Sequence, residues 1–400
     1  MPSDISTGKL TLKRGKTKPL AMHHPWVFAE AIEKIDGQPA AGDLVEICDP
    51  VGRLIGRGYY SPKSKLPVKV FSWAATDVAD EAFWRARLGR AVSLRTEFLG
   101  LNAPTAGVRL VNAEGDACPG LIVDRYADFL AVAFLTTGMA ARAEMFVRIL
   151  RDLTGARGIY ERPEADVARF EGLAREPGLL WGDEPPEYIE ITEGRAKFLV
   201  DLHRGHKTGF YLDQRENRLR AGELAKGRRV LDAFCYTGGF AIHAALGGAA
   251  EVWAVDSSEP SLEIAARSET LNGVTVSFEK ANAFERLRMM RREGRQFDMV
   301  ILDPPKLAKG RVGMDKALAA YKDANLSALR LLTPGGILMT CSCSGLVTQD
   351  DFVRALNDAA VDAGRAVRVI EKRGASPDHP FDPACPQTDY LQCLVVRVEE

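Results

Sequence analysis

Two acids, an Asp-Pro-Pro turn and two closely spaced thiols are the residues of this chain best suited to chemistry. Asp232 lies in the apolar run 230–234, Asp256 follows the run 251–255, Asp303 follows 297–302, and Cys341 and Cys343 follow 337–340. Runs this short suit buried strands and not helices, so each reactive group stands at a strand tip. A dinucleotide site would carry G-x-G-x-x-G after its first strand, with a helix N-terminus holding a pyrophosphate. Here the turn reads Asp232-Ala-Phe-Cys-Tyr-Thr-Gly-Gly. Its acid repels phosphate and suits a cationic ligand with hydroxyls and an amino acid tail. Asp256 comes 24 residues later, near the roughly 20-residue spacing at which a carboxylate meets a ribose. An adenosyl ligand without phosphates fits both acids, and S-adenosylmethionine is the candidate cofactor. The expected cofactor residues are Asp232, Phe234, Tyr236, Thr237, Gly238, Asp256 and Ser257, with Asp303 beside them.

The elements that position these groups alternate. Helices are expected over 240–246, 259–272, 317–332 and 351–363, and further strands over 274–279, 367–370 and 390–398. Gly247 and Gly248 stop the first helix. Asn282-Ala283-Phe284 falls at the tip of the third strand, where such folds contact adenine. An amide oxygen at Asn282 can accept from the exocyclic amine, and Ala283 offers a backbone amide. Strands alternating with helices predict an α/β, Rossmann-like domain with its site at the carboxyl ends of a parallel sheet.

Four hundred residues suggest two or three domains at about 150 residues each. The expected segments are a small β-barrel over 1–73, an α+β middle domain over 74–200 and the Rossmann-like domain over 201–400. The barrel is read from short alternating strands around the turns at 49–52 and 61–64. The middle domain is read from helices over 80–99 and 140–153, and strands over 109–112, 121–124, 129–135 and 158–162. A Pro/Glu-rich connector and a hairpin, 188–192 with 196–201, complete it. Composition is that of an ordinary globular chain, 46% apolar and 27% charged. No apolar run approaches the roughly 18 residues of a membrane span, and MPSDISTGKL has no secretory h-region. Seven cysteines without a CxxC pair or zinc spacing point to individual thiols in the cytoplasm, with no metal. Residues 1–73 hold 11 Lys/Arg against 7 Asp/Glu, net +4, which leaves −5 for the rest. Lys13, Arg14 and Lys16 in that basic segment could meet a phosphate backbone.

The run Lys13-Arg14-Gly15 to His24-Pro25-Trp26-Val27-Phe28, with Gly42-Asp43 and Gly56-Arg57-Gly58-Tyr59-Tyr60, resembles a PUA domain, an RNA-binding barrel. It is similar to the one fronting the RlmI-like family of S-adenosylmethionine-dependent 23S ribosomal RNA cytosine-C5 methyltransferases. KTGFYLDQR, residues 207–215, matches that family's cofactor lead-in, which implies Phe210, Asp213 and Arg215 near the methionine end. Asp303-Pro-Pro-Lys306 is similar to the turns of amine-methylating enzymes but lacks their final aromatic, which turns the reading away from exocyclic amines. Cytosine C5 is a poor nucleophile until a thiolate adds at C6, and a thiol is suited to that task. In cysteine-bearing relatives the nucleophile stands seven positions past the second glycine. Counted from Gly336 this is Cys343, while Cys341 points to the other face of an extended segment. The resemblance gives Asp303 the cytosine edge and protonation at N3, and implies large-subunit ribosomal RNA as partner, with Lys306 as a substrate contact. Many such enzymes have a second cysteine where Lys306 stands; the base that removes the C5 proton stays open between Cys341 and a water.

Other readings compete. One keeps the cofactor and changes the target to another RNA base or a protein side chain. Another is an RNA-binding protein with a non-catalytic methyltransferase fold, which would bind cofactor without Cys343-dependent turnover. A nicotinamide oxidoreductase is disfavoured because G-x-G-x-x-G is absent. His23 and His24 read as packing at a barrel corner, Asp378-His379-Pro380 as a turn or cap, and Cys235 as packing. Monomer and homodimer are both open.

Overall fold

Apolar runs read as strands do become strands, and their faces explain the layers. A computed structural model of the protein describes residues 6–164, 167, 170–308 and 313–399; the first five residues, on which part of the N-terminal reading rests, lie outside them. The chain divides into two compact units. One holds the residues up to Ile189, Asp201–Phe210 and Pro377–Thr388; the other holds Glu190–Val200, Tyr211–Ser376 and Asp389–Glu400.

The second unit is built on a seven-stranded sheet. Its strands are β1 (Arg229–Ala233), β2 (Glu251–Asp256), β3 (Ser277–Lys280), β4 (Phe297–Leu302), β5 (Leu332–Ser342), β6 (Val367–Arg373) and β7 (Gln392–Val398). Their order is β3-β2-β1-β4-β5-β7-β6. The first five run parallel, and β7 pairs antiparallel with both β5 and β6. The chain moves outward from β1 to β3 and then restarts at β4, so the switch point lies between β1 and β4, where open α/β sheets bind ligands. The helices are α1 (Arg215–Leu224), α2 (Gly239–Leu246), α3 (Glu259–Asn272), α4 (Ala283–Arg292), α5 (Met314–Leu331) and α6 (Gln349–Ala363).

Alternation along each strand feeds two cores. Leu231, Ala233, Val300, Leu302, Leu338 and Val396 pack with α5 and α6 residues such as Tyr321 and Phe352. Val230, Met299, Ile301, Met339, Cys341 and Cys393 pack on the other face with Ala221, Ala241 and Ala244. Strand β5 differs from the expected 337–340. It begins at Leu332 and takes in Pro334-Gly335-Gly336 as an irregularity: Phe297 pairs with Leu332, Met299 with Ile337, and Gly335 takes a φ of 75°. The turn residues are there, but they bulge from a strand and do not precede it.

In the first unit, a six-stranded sheet has the order Trp26–Val27, Val68–Ser72, Leu54–Tyr60, Leu44–Cys48, Gly8–Leu12, Ile32–Gly37. A five-stranded sheet has the order Gly178–Gly182, Gly158–Glu161, Phe129–Phe134, Leu121–Tyr126, Gly107–Asn112. Strand Gly178–Gly182 falls in what reads as a connector. It is a short edge strand, exposed at Leu179 and half-buried at Leu180 and Trp181, and its Leu-Leu-Trp run shows no polar–apolar alternation to mark it. Leu44, Tyr59 and Phe71 share one core with Trp84, Phe134 and Phe146, which makes the barrel segment and the middle segment one unit. The helix expected over 80–99 is regular over Glu81–Ser93, capped by the Asp80 side chain on Phe83 N. Leu94–Phe98 follows as a π turn. His23 stacks on Trp73 with centroids 4.8 Å apart, and His24 meets Trp26 edge to face. The hairpin Ile189–Glu193 and Ala196–Val200 leaves the middle segment for the second unit, where Lys197 N and Leu199 N donate to Asn272 and Ser268 of α3. Hydrogen bonds from its backbone to helix side chains, which no local pattern announces, tie it there.

Candidate active site

The turn from β1 into α2 is wound left-handed. Phe234 (φ 67°), Tyr236 (φ 50°) and Gly238 (φ 77°) all have positive φ. For residues with a Cβ this costs about 1–2 kcal/mol each, and such strain gathers at functional turns. Neighbouring strands hold it in place: Phe234 N and Cys235 N both donate to Val255 O, and Tyr236 N donates to Asp256 Oδ2 at 2.8 Å. Only glycine suits position 238, where a Cβ would lie 3.2 Å from Ala265 Cβ and 3.3 Å from the Phe278 ring. At Gly239 a Cβ would lie 2.7 Å from Arg218 Cδ.

Asp232 is fully buried. Its Oδ2 accepts from Ala241 N at 3.0 Å in the first turn of α2. Its Oδ1 has no partner among the described residues, and neither has the buried hydroxyl of Thr237. Burial, then the charge of Asp303, pushes the Asp232 carboxyl well above the usual carboxylate range. An orphaned buried oxygen is costly unless something else binds it. A ligand with a positive charge and hydrogen-bond donors answers that need, so the residues present fit S-adenosylmethionine.

At the tip of β2, Asp256 spreads its two oxygens over Tyr236 N and Ser258 N, each at 2.8 Å, and Ser257 is exposed beside it. At the tip of β3, Asn282 caps α4, its oxygen accepting from Glu285 N at 3.3 Å, and Ala283 is buried. That oxygen keeps a second lone pair.

The lead-in is split. Phe210 belongs to the first unit, where its backbone N–H donates to Tyr126 Oη at 3.1 Å. Asp213 and Arg215 belong to the second and are both buried. Asp213 accepts from Tyr390 Oη at 2.6 Å, and Arg215 meets Glu216 at 3.3 Å. Between them lies Gln214, which the sequence does not single out. It is buried, donates from Nε2 to Asp303 Oδ1 at 2.9 Å, and accepts from Asn217 Nδ2 at 2.7 Å. It therefore sets the orientation of Asp303 from 89 residues away.

Asp303 is half-buried, and Lys306 is exposed. Beside this turn stands Cys343, whose Sγ lies 3.9 Å from Pro304 O. Of the seven cysteines, Cys343 alone is not buried. Cys341 packs fully buried against Cys393, opposite it on β7, and that neighbour and burial push its thiol well above the ordinary value. Strand alternation puts Cys341 in line with Ile337 and Met339 in the core; the strand ends at Ser342, before Cys343. A thiol held protonated in a core is unsuited to removing a C5 proton. Cys235 is buried with its pKa pushed well up, as a packing residue should be.

The family described as S-adenosylmethionine-dependent methyltransferase matches residues 169–394, and the family of PUA-like domains matches residues 10–73. A ribosomal RNA large subunit methyltransferase I from Tolumonas auensis is 43% identical over 390 residues, covering 96% of this chain and 98% of that protein. One from Aeromonas hydrophila is 42% identical, covering 98% and 99%. The chain belongs to the ribosomal RNA large subunit methyltransferase I family. Its cofactor is S-adenosylmethionine. A solved structure from Streptococcus mutans has the same fold, with a TM-score of 0.84 at 20% identity over 98% of this chain and 100% of that one. A second solved structure, in complex with SAH, gives a TM-score of 0.85 at 21% identity over the same shares of the two chains.

In this methyltransferase the PUA-like segment presents Lys13, Arg14 and Lys16 exposed around Gly15, with Lys13 Nζ donating to Glu30 O at 2.9 Å. Asp378 and His379 are buried in the first unit, where Asp378 accepts from Arg109 N at 2.9 Å. Among the described residues no helix is long and apolar enough to cross a membrane.

Proposed function

We propose that this methyltransferase acts on C5 of a cytosine in large-subunit ribosomal RNA, with Cys343 as the nucleophile that adds to C6. One observation carries the reading: the single half-exposed thiol stands at the carboxyl end of β5, against the Asp303-Pro-Pro turn. The names of the relatives support the RNA. Bound S-adenosylmethionine supplies a methyl group on a sulfonium. The chain's own work is to make C5 able to take it. The Cys343 thiolate forms a bond to C6, and the C5=C6 electron pair moves onto C5 and the ring. Asp303, held by Gln214, stabilises the proton that N3 takes up as charge develops. Once C5 is methylated its proton leaves to a base, water being the remaining candidate. The C6–S bond then breaks and returns the thiolate. A target paired in duplex must also be extruded, at a cost of a few kcal/mol. Labelled S-adenosylmethionine and unmodified ribosomal RNA test this directly. Bisulfite sequencing should map the label to one protected cytosine, whereas label on an exocyclic amine would sink the C5 assignment.

Asp232 and Thr237, with their orphaned oxygens, and Asp256 are the residues assigned to the cofactor, with Gly238 giving room; Phe234, Tyr236, Ser257, Asn282, Ala283, Asp213 and Arg215 complete the set within the second unit. Asp232→Asn keeps an acceptor for Ala241 N and removes the charge. A charge-assisted hydrogen bond contributes about 1.5–3 kcal/mol, so affinity should fall roughly 10- to 100-fold. The sign of the pH effect follows from the raised pKa. The free carboxyl favours its proton, the bound cation favours the ionised form, and so wild-type affinity should rise with pH while that of Asp232→Asn stays flat. Calorimetric titrations across pH check both; an unchanged affinity in Asp232→Asn would take that residue out of the site. Lys13, Arg14, Lys16 and Lys306 are assigned to the RNA backbone.

A further inference from the structure

No regular element holds the Cys343 thiol in place. Strand β5 stops at Ser342, and residues 343 and 344 are loop. The residues on either side of the thiol are instead tied to one side chain. Tyr321, on α5, is 1% exposed and sets its ring edge-on against Phe352 at 5.3 Å. Its hydroxyl accepts from Ser342 Oγ at 2.9 Å and shares a hydrogen bond with Ser344 Oγ at 3.0 Å. Ser344 Oγ also accepts from Ala308 N at 3.2 Å, which reaches across to the segment that follows Asp303-Pro-Pro-Lys306. Both serines are fully buried. Three buried hydroxyls are a poor way to fill a core, because each must be partnered to offset its desolvation. Here every one is partnered, and each bond ends on a residue next to the thiol or on the segment that follows the turn facing it. Burial raises the Tyr321 phenol above its ordinary pKa, which keeps it a neutral donor.

We infer that Tyr321 is a positioning residue for the nucleophile: through Ser342 and Ser344 it fixes the Cys343 loop, and through Ala308 it fixes that loop against the Asp303 turn. The inference rests on Cys343 being the nucleophile. A displacement of about 1 Å at a reacting atom costs on the order of 100-fold in rate. Tyr321→Phe keeps the ring and removes only the hydroxyl.

The test measures Tyr321→Phe and Ser344→Ala in full-length protein. Turnover should fall roughly 10- to 100-fold, while KM for S-adenosylmethionine and affinity for S-adenosylhomocysteine stay within about twofold. The rate of the covalent adduct with RNA carrying 5-fluorocytidine, whose fluorine blocks the final proton loss, should fall in the same proportion as kcat. A merely structural role would lower the melting temperature and leave the adduct rate per folded molecule unchanged. Ser344→Ala preserves the Tyr321 ring packing and carries the same expectation if Tyr321→Phe proves unstable. An adduct rate within twofold of wild type in a folded variant, or a loss confined to KM, overturns the brace. Cys343→Ala separates the two ideas. If it is inactive while Tyr321→Phe is normal, the brace alone falls; if it turns over normally, the nucleophile falls and takes the brace with it.

Discussion

Cys343→Ala should lose methyl transfer by on the order of 10³-fold or more, while Cys341→Ala keeps most of its turnover and loses about 1 kcal/mol of stability. The two thiols are separated by one residue and by a change of environment. Cys341 is the last core position of β5, set between Met339 and Cys393, where its thiol is held protonated. Removing its sulfur leaves a small cavity and takes nothing from the reaction. Cys343 lies past the strand end, half-exposed, with the Asp303-Pro-Pro turn on one side. Removing that sulfur removes the atom that must bond to C6, and no neighbouring cysteine can replace it, because the other six are buried. Transfer of label to ribosomal RNA, measured beside a chemical denaturation curve for each variant, gives both numbers. Turnover in Cys343→Ala near the wild-type value would end the covalent mechanism and leave the cofactor assignment in place.

What could be read from the sequence and what could not divide along a physical line. The strands β1 and β4, the glycine turn at 238 and the position of the thiol after Gly336 are all written locally. An apolar run, a Gly-Gly pair and a count of residues along an extended segment need no partner to be understood. Gln214 and Tyr321 carry no such mark. One lies in a stretch dense in polar and aromatic residues, and the other on a helix among ordinary core residues. Their roles arise from what they meet: Asp303, 89 positions later, and Ser342 and Ser344, 21 and 23 positions later. The hairpin before the Rossmann-like domain shows the same limit. Its alternation predicts two strands but not the helix α3 that takes up their edge. Local pattern thus specifies where the site lies, while the side chains that orient its groups emerge only with the packed fold.

A buried charge cluster supplies the second large effect. Glu193, at the end of the hairpin strand, accepts both arms of Arg218, at 2.6 and 2.5 Å, and meets His243 Nε2 at 3.0 Å. All three side chains are almost wholly buried. Arg218 also donates to Tyr211 O at 2.8 Å and lies against Gly239, so one guanidinium joins the hairpin, the lead-in to α1 and the first turn of α2. Glu193→Ala would leave that guanidinium buried without its partner, and should cost about 3–5 kcal/mol. Replacing both members, Glu193→Leu with Arg218→Met, should recover much of the loss, since two apolar side chains of similar volume need no desolvation. Burial, the largest single influence, pushes the Glu193 carboxyl up, and the charge and hydrogen bonds of Arg218 with the hydrogen bond of His243 outweigh it and hold that carboxyl down to about 2. A depressed carboxyl stabilises the fold above its unfolded value of about 4.3, and that contribution of about 3 kcal/mol is lost as pH falls from there towards 2. Wild-type denaturation midpoints should therefore drop between pH 5 and pH 2.5 by more than those of the Leu/Met double variant. A Glu193→Ala protein less than about 1 kcal/mol weaker than wild type at pH 7, with an acid limb identical to wild type, would show that hairpin packing on α3 holds this region without the charges.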